Sequence, residues 1–159
     1  MKTLLVLSDS HKNVRDIKKL YEIMEETDFI VHLGDYCSDM QGLLPVFGNK
    51  TYRVAGNCDF CSACDTEGVL KVEGVKIFYT HGHNYGVKSG LNRLVDRAKE
   101  LGCQVALYGH THVAKVETID GIITVNPGCL KEYSPAKSYA YLVVADGKVT
   151  ALINDTFFR

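Results

Sequence analysis

The segment Gln104-Val105-Ala106-Leu107-Tyr108-Gly109-His110-Thr111-His112 is an apolar run that ends in two histidines, one residue apart. Such a run is typical of a buried β-strand, and Gly109 then allows a turn. If the chain stays extended, His110 and His112 share a face, with Cα atoms about 6.6 Å apart. That spacing is wide for two ligands of one ion, but it suits two ions about 3.5–4 Å apart. The alternative is a polar loop with two unrelated histidines.

Four other predicted strands also end in polar side chains that can bind metal ions. These side chains are Asp9 and His11 after residues 3–7, Asp35 after 29–33, Asn57 after 51–55 and His81 after 75–79. Ligand sites in α/β proteins lie beyond the carboxyl ends of strands. We therefore expect the five strand ends to converge on one place.

The order of predicted elements indicates an α/β fold. A strand over 3–7, an amphipathic helix over 14–24 with Asn13 as N-cap and a strand over 29–33 form a βαβ unit with parallel strands. A second amphipathic helix is predicted over 88–101. Three hairpins are predicted at the dipeptides Glu73-Gly74, Asp120-Gly121 and Asp146-Gly147. The pattern predicts two packed sheets with helices outside.

The 159 residues predict a single domain over 1–159, with 46% hydrophobic and 23% charged residues. The net charge of −1 gives no reason to expect bulk nucleic-acid or membrane binding. The apolar start over residues 4–7 is too short for a signal peptide, and no run is long enough to span a membrane. We therefore expect a cytoplasmic protein.

The chain has six cysteines, three of them in the pattern Cys58-x-x-Cys61-x-x-Cys64. This spacing is compatible with a metal or an iron–sulfur cluster, but no fourth cysteine lies nearby in the sequence. A chain with this much apolar core needs no disulfide scaffold. We therefore predict reduced thiols without a specific role.

The candidate ligands are oxygen and nitrogen donors without a thiolate. They are Asp9, His11, Asp35, Asn57, His81, His110 and His112. Such donors suit Mn²⁺, Fe²⁺, Zn²⁺ or Ni²⁺. Seven donors exceed the four that a structural zinc uses, whereas two ions sharing one carboxylate would use them all. Two-metal sites activate a bridging water for in-line displacement at phosphorus.

Each residue alone also has an ordinary structural interpretation. Asp9 can cap a helix, and Asp35 and Asn57 can be turn residues. His32 lies inside an apolar strand and is assigned to the core. The functional interpretation is favoured because five of the six histidines fall at the ends of predicted strands, which unrelated turn residues would not be expected to do.

The motifs together resemble those of the calcineurin-like metallophosphoesterases, and in particular the family's small prokaryotic phosphodiesterase branch. They are Asp9-Ser10-His11, Gly34-Asp35, Gly56-Asn57-Cys58-Asp59, His81-Gly82-His83, Gly109-His110-Thr111-His112 and the turn Asn126-Pro127-Gly128. The first five occur in the family's order. The resemblance covers essentially the whole chain.

The resemblance implies a four-layer α/β/β/α sandwich of two mixed β-sheets flanked by helices. It also implies two divalent ions, Mn²⁺ first, with Ni²⁺, Fe²⁺ or Zn²⁺ as alternatives. The first ion would be held by Asp9, His11, Asp35 and His112, and the second by Asp35, Asn57, His81 and His110. Asp35 would bridge them. Catalysis would act through the metals at Asp9, Asp35, Asn57 and His81.

Many phosphomonoesterases of this family have histidine at the position of Cys58, where it can protonate the leaving oxygen. A thiol with a pKa of about 8.5 is a poor acid for that role. Asp59, His83 or a metal-bound water are alternatives, and the sequence does not choose between them. A plain structural role for His83 is a further alternative.

Charge favours diesters over monoesters. Two divalent ions, two carboxylates and a bridging hydroxide leave a net charge of about +1, which a diester monoanion neutralises. No Lys or Arg lies inside the motifs, although Lys12 and Arg93 are within reach. We therefore predict hydrolysis of a small phosphodiester. The alternatives are a phosphomonoesterase, a non-catalytic protein-interaction scaffold, or a fold with one structural metal. A homodimer or larger homo-oligomer through hairpin edges is also expected.

Overall fold

In a computed structural model, which describes residues 1–60 and 63–159, ten strands form two sheets. The strands are β1 (Lys2–Leu7), β2 (Phe29–His32), β3 (Thr51–Arg53), β4 (Glu67–Val72), β5 (Val75–Thr80), β6 (Val105–Leu107), β7 (Lys115–Ile119), β8 (Ile122–Asn126), β9 (Tyr139–Ala145) and β10 (Lys148–Asn154). The α-helices are α1 (Val14–Lys19), α2 (Tyr21–Glu26), α3 (Leu44–Phe47) and α4 (Asn92–Glu100), and 3₁₀ helices cover Cys37–Leu43, Gly48–Lys50 and His83–Tyr85. None of these helices is long and apolar enough to cross a membrane.

Both sheets are mixed. In the first sheet the strand order is β10-β9-β1-β2-β3, and β1, β2 and β3 run parallel. In the second sheet the order is β4-β5-β6-β8-β7, and β5, β6 and β8 run parallel. The parallel strands of each sheet thus point their carboxyl ends at one edge.

Three hydrophobic clusters define the layers. Leu4 and Val6 of β1 point between the sheets, where they share a cluster with Ile77 of β5. The alternate residues Leu5 and Leu7 face α1 and α2 in a second cluster. The third cluster packs α4 against the outer face of the second sheet. The predicted four-layer α/β/β/α sandwich is therefore confirmed.

The helices differ in detail from their predicted extents. The helix predicted over 14–24 is two short helices, because the backbone leaves the helical region at Leu20, which ends α1 and precedes α2. Asn13 is the N-cap as predicted, and its side chain accepts a hydrogen bond from the backbone N–H of Asp16. The helix predicted from residue 88 begins at Asn92, because Gly90 has a φ of 144° that no helix allows.

The three predicted hairpins are present as β4–β5, β7–β8 and β9–β10. Each turn has two residues with positive φ, the arrangement of a type I′ turn: Glu73-Gly74, Asp120-Gly121 and Asp146-Gly147. The turns precede β5 and β8 and follow β9. These strand ends lie opposite the edge at which the parallel strands end, so all three turns are at the far end of the molecule. The edge strands β7 and β10 have exposed side chains, and assembly through hairpin edges stays a prediction.

Asp16 connects α1 to the segment before β9. Its buried carboxylate lies 2.6 Å from Nζ of Lys137 and 2.7 Å from Nζ of Lys19. Burial alone would raise the pKa of Asp16, but hydrogen bonds from Lys137, Lys19 and Asn13 outweigh it and lower the pKa. The carboxylate is therefore stabilising in its ionised form.

We expect Asp16→Asn to lower the free energy of unfolding by about 2 kcal/mol at pH 7. The folded-state pKa is depressed, so this stability is present above the unfolded pKa of about 3.9 and is lost as pH falls through the folded pKa. The difference from the wild type should therefore shrink in urea titrations below about pH 4. The exposed Asp96→Asn is the control, and an equal loss in both variants would contradict the prediction.

Candidate metal centre

The predicted ligands lie together where the carboxyl edges of the two sheets meet. One ligand atom from each of Asp9, His11, Asp35 and His112 lies within 4.8 Å of the others. Nε2 of His112 is 3.1 Å from Oδ1 of Asp9, and Nε2 of His11 is 3.6 Å from Oδ2 of Asp35. These four residues form the first cluster.

A second cluster shares Asp35 with the first. Ligand atoms of Asp35, His81 and His110 also lie within 4.8 Å of one another. Nε2 of His81 is 3.4 Å from Oδ1 of Asp35, 3.2 Å from Nδ1 of His110 and 3.1 Å from Oδ1 of Asn57. Asn57 therefore lies beside this cluster, and all seven predicted donors are brought together.

The histidine pair is not extended, so the spacing considered for an extended chain does not apply. His110 and His112 have φ values of 68° and 62°, in the left-handed region. The two side chains still divide between the clusters, His110 in the second and His112 in the first. The loop requires glycine at position 109, because a Cβ on any other residue there would lie 2.0 Å from Oγ of Ser8.

Asp9 is held so that one carboxylate oxygen faces the first cluster. Its Oδ2 accepts hydrogen bonds from the Ser8 hydroxyl and from the backbone N–H of His110. Its Oδ1 and Nε2 of His11 are buried and have no well-aligned hydrogen bond among the described residues, although Nε2 of His112 lies 3.1 Å from Oδ1. Buried polar atoms without partners are costly, and a divalent cation between them would remove that cost. The donor set thus fits a metal ion.

His81 is oriented as a metal ligand is. Its Nδ1 donates to the carbonyl oxygen of Leu33 at 2.7 Å, so Nε2 is left to face the cluster. Burial favours the neutral ring, but the hydrogen bond to Asp35 and the charges of Asp9 and Asp35 raise the pKa of His81. A cation would displace that proton, because a ligating imidazole must be neutral.

The two carboxylates carry their charge in the folded protein. Burial would raise the pKa of Asp9, but His11, His112 and His81 lower it well below its usual range. The pKa of Asp35 is likewise lowered, against burial, by His81 and by the backbone N–H of Cys58. Both side chains are therefore anionic at neutral pH.

Three residues were predicted to lie around the ligands. Asp59 accepts hydrogen bonds from the backbone N–H groups of Gly56 and Cys37, so it holds the Asn57 loop against the Asp35 loop. The ring of His83 lies 5.4 Å from that of His81, and its buried Nδ1 has no partner among the described residues. Burial and the charge of Asp35 raise the pKa of Cys58.

The supporting roles of two residues already named, Asn126 of the Asn-Pro-Gly turn and the core residue His32, were not predicted from the sequence. Asn126 donates from Nδ2 to the Gly109 carbonyl oxygen and to the Thr111 hydroxyl, which fixes the histidine loop. His32 is buried as predicted, yet both of its ring nitrogens are hydrogen-bonded. A histidine inside an apolar strand was the available signal, because a buried polar group needs partners.

Of the cysteines in the Cys58-x-x-Cys61-x-x-Cys64 pattern, Cys58 lies beside the candidate metal centre, next to Asn57 and Asp35. Sγ of Cys37, which follows the Asp35 loop, donates to Sγ of Cys64 at 3.4 Å. Cys61 lies outside the described residues. The prediction that these cysteines are reduced and have no role stays a prediction.

Residues 1–147 match the calcineurin-like phosphoesterase superfamily domain. The chain belongs to this superfamily. The chain is 34% identical over 158 residues to YsnB, a probable metallophosphoesterase of Bacillus subtilis, covering 96% of this chain and 90% of that protein. It is 26% identical over 145 residues to the phosphodiesterase MJ0936 of Methanocaldococcus jannaschii, covering 77% and 81% of the two chains. The resemblance seen in the motifs is therefore confirmed.

The fold of this chain is also that of Vps29. The crystal structure of wild-type Vps29 from Entamoeba histolytica with Zn²⁺ superposes with a TM-score of 0.73 at 20% sequence identity. The superposition covers 96% of this chain and 98% of that one. At this identity the likeness establishes the fold alone.

Proposed function

We propose that this protein is a phosphodiesterase that uses two divalent cations, Mn²⁺ first among them. The observation that carries the proposal is the pair of donor clusters that share Asp35. A single structural ion would need about four donors, which leaves the second cluster without a purpose. We propose a small phosphodiester in the cytoplasm as the substrate.

The chain's own residues prepare this site for cations. Asp9 and Asp35 supply negative charge, and His11, His81, His110 and His112 supply nitrogen donors. Bound divalent ions would supply Lewis acidity at the phosphoryl oxygens and a nucleophile from water at neutral pH. Backbone N–H groups donate to Asp9 and Asp35, and His81 donates to the Leu33 carbonyl oxygen; these hydrogen bonds position the three side chains.

The preference for diesters rests on the charge around the site. Nζ of Lys12 lies 5.5 Å from the ring centroid of Tyr36, and Nη2 of Arg93 donates to the carbonyl oxygen of Asn84. In these contacts both cations face groups outside the two donor clusters, which supports a substrate with a single negative charge. The similarity to a phosphodiesterase of Methanocaldococcus jannaschii supports the same preference.

The leaving group is expected to matter as well. Asp59 is engaged with two backbone N–H groups, and the raised pKa of Cys58 keeps it a weakly acidic thiol. Leaving oxygens that need no proton, such as aryl oxides, should therefore depart fastest.

The proposal is tested by removing metals, reloading the protein with Mn²⁺ and measuring nitrophenol release from bis(4-nitrophenyl) phosphate and 4-nitrophenyl phosphate. We expect turnover that depends on Mn²⁺ and a higher kcat/KM for the diester. A faster monoester would overturn the diester preference. No turnover with Mn²⁺, Ni²⁺ or Zn²⁺ would overturn the proposal that the protein is an enzyme and would favour a protein-interaction scaffold.

A further inference from the structure

The loop that carries Asp9 and His11 has an unusual backbone. Asp9, His11 and Lys12 have φ values of 53°, 45° and 70°, so three of four successive residues are left-handed. Non-glycine residues adopt this region at a cost and keep it only where the surroundings impose it. Something must therefore hold the loop in place.

The intervening residue, Ser10, is held by a buried polar network. Its hydroxyl donates to Oδ2 of Asp39 at 2.7 Å and contacts Nε2 of His32 at 2.9 Å. Oδ2 of Asp39 also accepts the backbone N–H of Lys12 at 2.8 Å. Ser10 and His32 are 0% exposed and Asp39 is 8% exposed, so water does not compete for these bonds.

The direction of the hydrogen bonds fixes the proton on His32. Its Nδ1 accepts from the backbone N–H of Gly34 at 3.2 Å, so Nε2 carries the proton and donates to Ser10. Burial lowers the pKa of His32 to about 4, in agreement with this neutral ring. One imidazole therefore contacts both the Asp9–His11 loop and the residue before Asp35.

We propose that His32 and Asp39 are positioning residues that, through Ser10, hold the Asp9–His11 loop and the Gly34–Asp35 loop at the spacing needed to bind metal. This inference rests on the proposed function, because it assumes that the first cluster binds a cation. It assigns a role to two residues that lie outside the ligand set. Neither residue touches the reacting atoms.

The test measures Mn²⁺ affinity by electron paramagnetic resonance of the free ion, with no substrate present. His32→Leu replaces the imidazole with an apolar side chain of similar size in β2 and removes both hydrogen bonds. We expect its Mn²⁺ affinity to fall 10- to 100-fold, as for residues that orient metal ligands. His32→Gln can reach Ser10 and should recover part of the loss.

Two further variants separate positioning from core packing. If His32 acts through Ser10, the double variant His32→Leu/Ser10→Ala should lose no more affinity than the weaker-binding single variant. Thr124→Val, which removes another fully buried hydroxyl in β8, should keep wild-type affinity. Asp39→Asn replaces His32→Leu in the assay if the latter does not fold.

The outcomes are distinct. Wild-type protein that binds no Mn²⁺ contradicts the proposed function itself. Wild-type binding with unchanged affinity in His32→Leu, or in Asp39→Asn where that variant replaces it, overturns the positioning role and leaves the proposed function standing. Fully additive losses in the double variant would also overturn it, because His32 would then act independently of Ser10.

Discussion

Asp35→Asn is expected to lower hydrolysis of bis(4-nitrophenyl) phosphate by at least about 10³-fold, equal to about 4 kcal/mol of transition-state stabilisation. Asp35 is the one residue common to both donor clusters. An asparagine has the same shape, but its amide nitrogen cannot bind a cation and its charge is zero. One substitution should therefore weaken both clusters, and the bound Mn²⁺ measured by elemental analysis should fall with the activity.

The matched control is Asp65→Asn, an exposed carboxylate downstream of Asn57 in the same loop region. It should keep wild-type activity and metal content. A fold with a single structural metal predicts a different result, in which Asp35→Asn lowers the melting temperature without a selective effect on turnover. Full activity in Asp35→Asn would contradict the shared-ligand arrangement.

Gly56→Ala should reduce kcat by about 10²-fold through displacement of Asp35. A Cβ on Gly56 would lie 2.3 Å from Oδ1 of Asp35, 2.5 Å from its backbone N and 3.0 Å from Cγ of His81. These contacts are too short to be tolerated, so Asp35 or the Asn57 loop must move. Overpacking of this kind also destabilises, here by about 1–3 kcal/mol.

The comparison variant is Gly42→Ala, since Gly42 also lacks a positive φ and a Cβ there would meet nothing within 4 Å. It should keep full activity and gain up to about 1 kcal/mol of stability from the reduced freedom of the unfolded chain. Steady-state kinetics and thermal unfolding of both variants decide the matter. Equal activity in the two would show that the Asn57 loop can yield without moving Asp35.

The layers and the grouping of the candidate donors were predictable because both depend on patterns that are local in sequence. Alternation in β1 sends Leu4 and Leu5 to opposite faces, and such runs indicate strands covered on both sides. Polar residues directly after these strands must lie at the carboxyl edge. The resemblance then implied which residues would share an ion; the structure gathers the Asp and His side chains into the same two groups and places Asn57 beside the second.

The backbone of the ligand loops was not predictable in this way. The left-handed conformations of His110 and His112 depend on the close approach of Gly109 to Ser8, which is a contact between distant parts of the chain. The same holds for the role of His32, whose partners Ser10 and Gly34 are identified only when the loops meet. Periodicity contains no information about such contacts.

The three type I′ turns have a consequence for how this chain can change. Gly74, Gly121 and Gly147 face open space, at the end of the molecule opposite the ligand loops. Exposed tight turns accept inserted residues more readily than buried loops. A purification tag, a fluorescent reporter or an inherited insertion at Asp120-Gly121 would be separated from the metal loops by the length of the sheet. The chain can lengthen at one end while the candidate metal centre at the other is left intact.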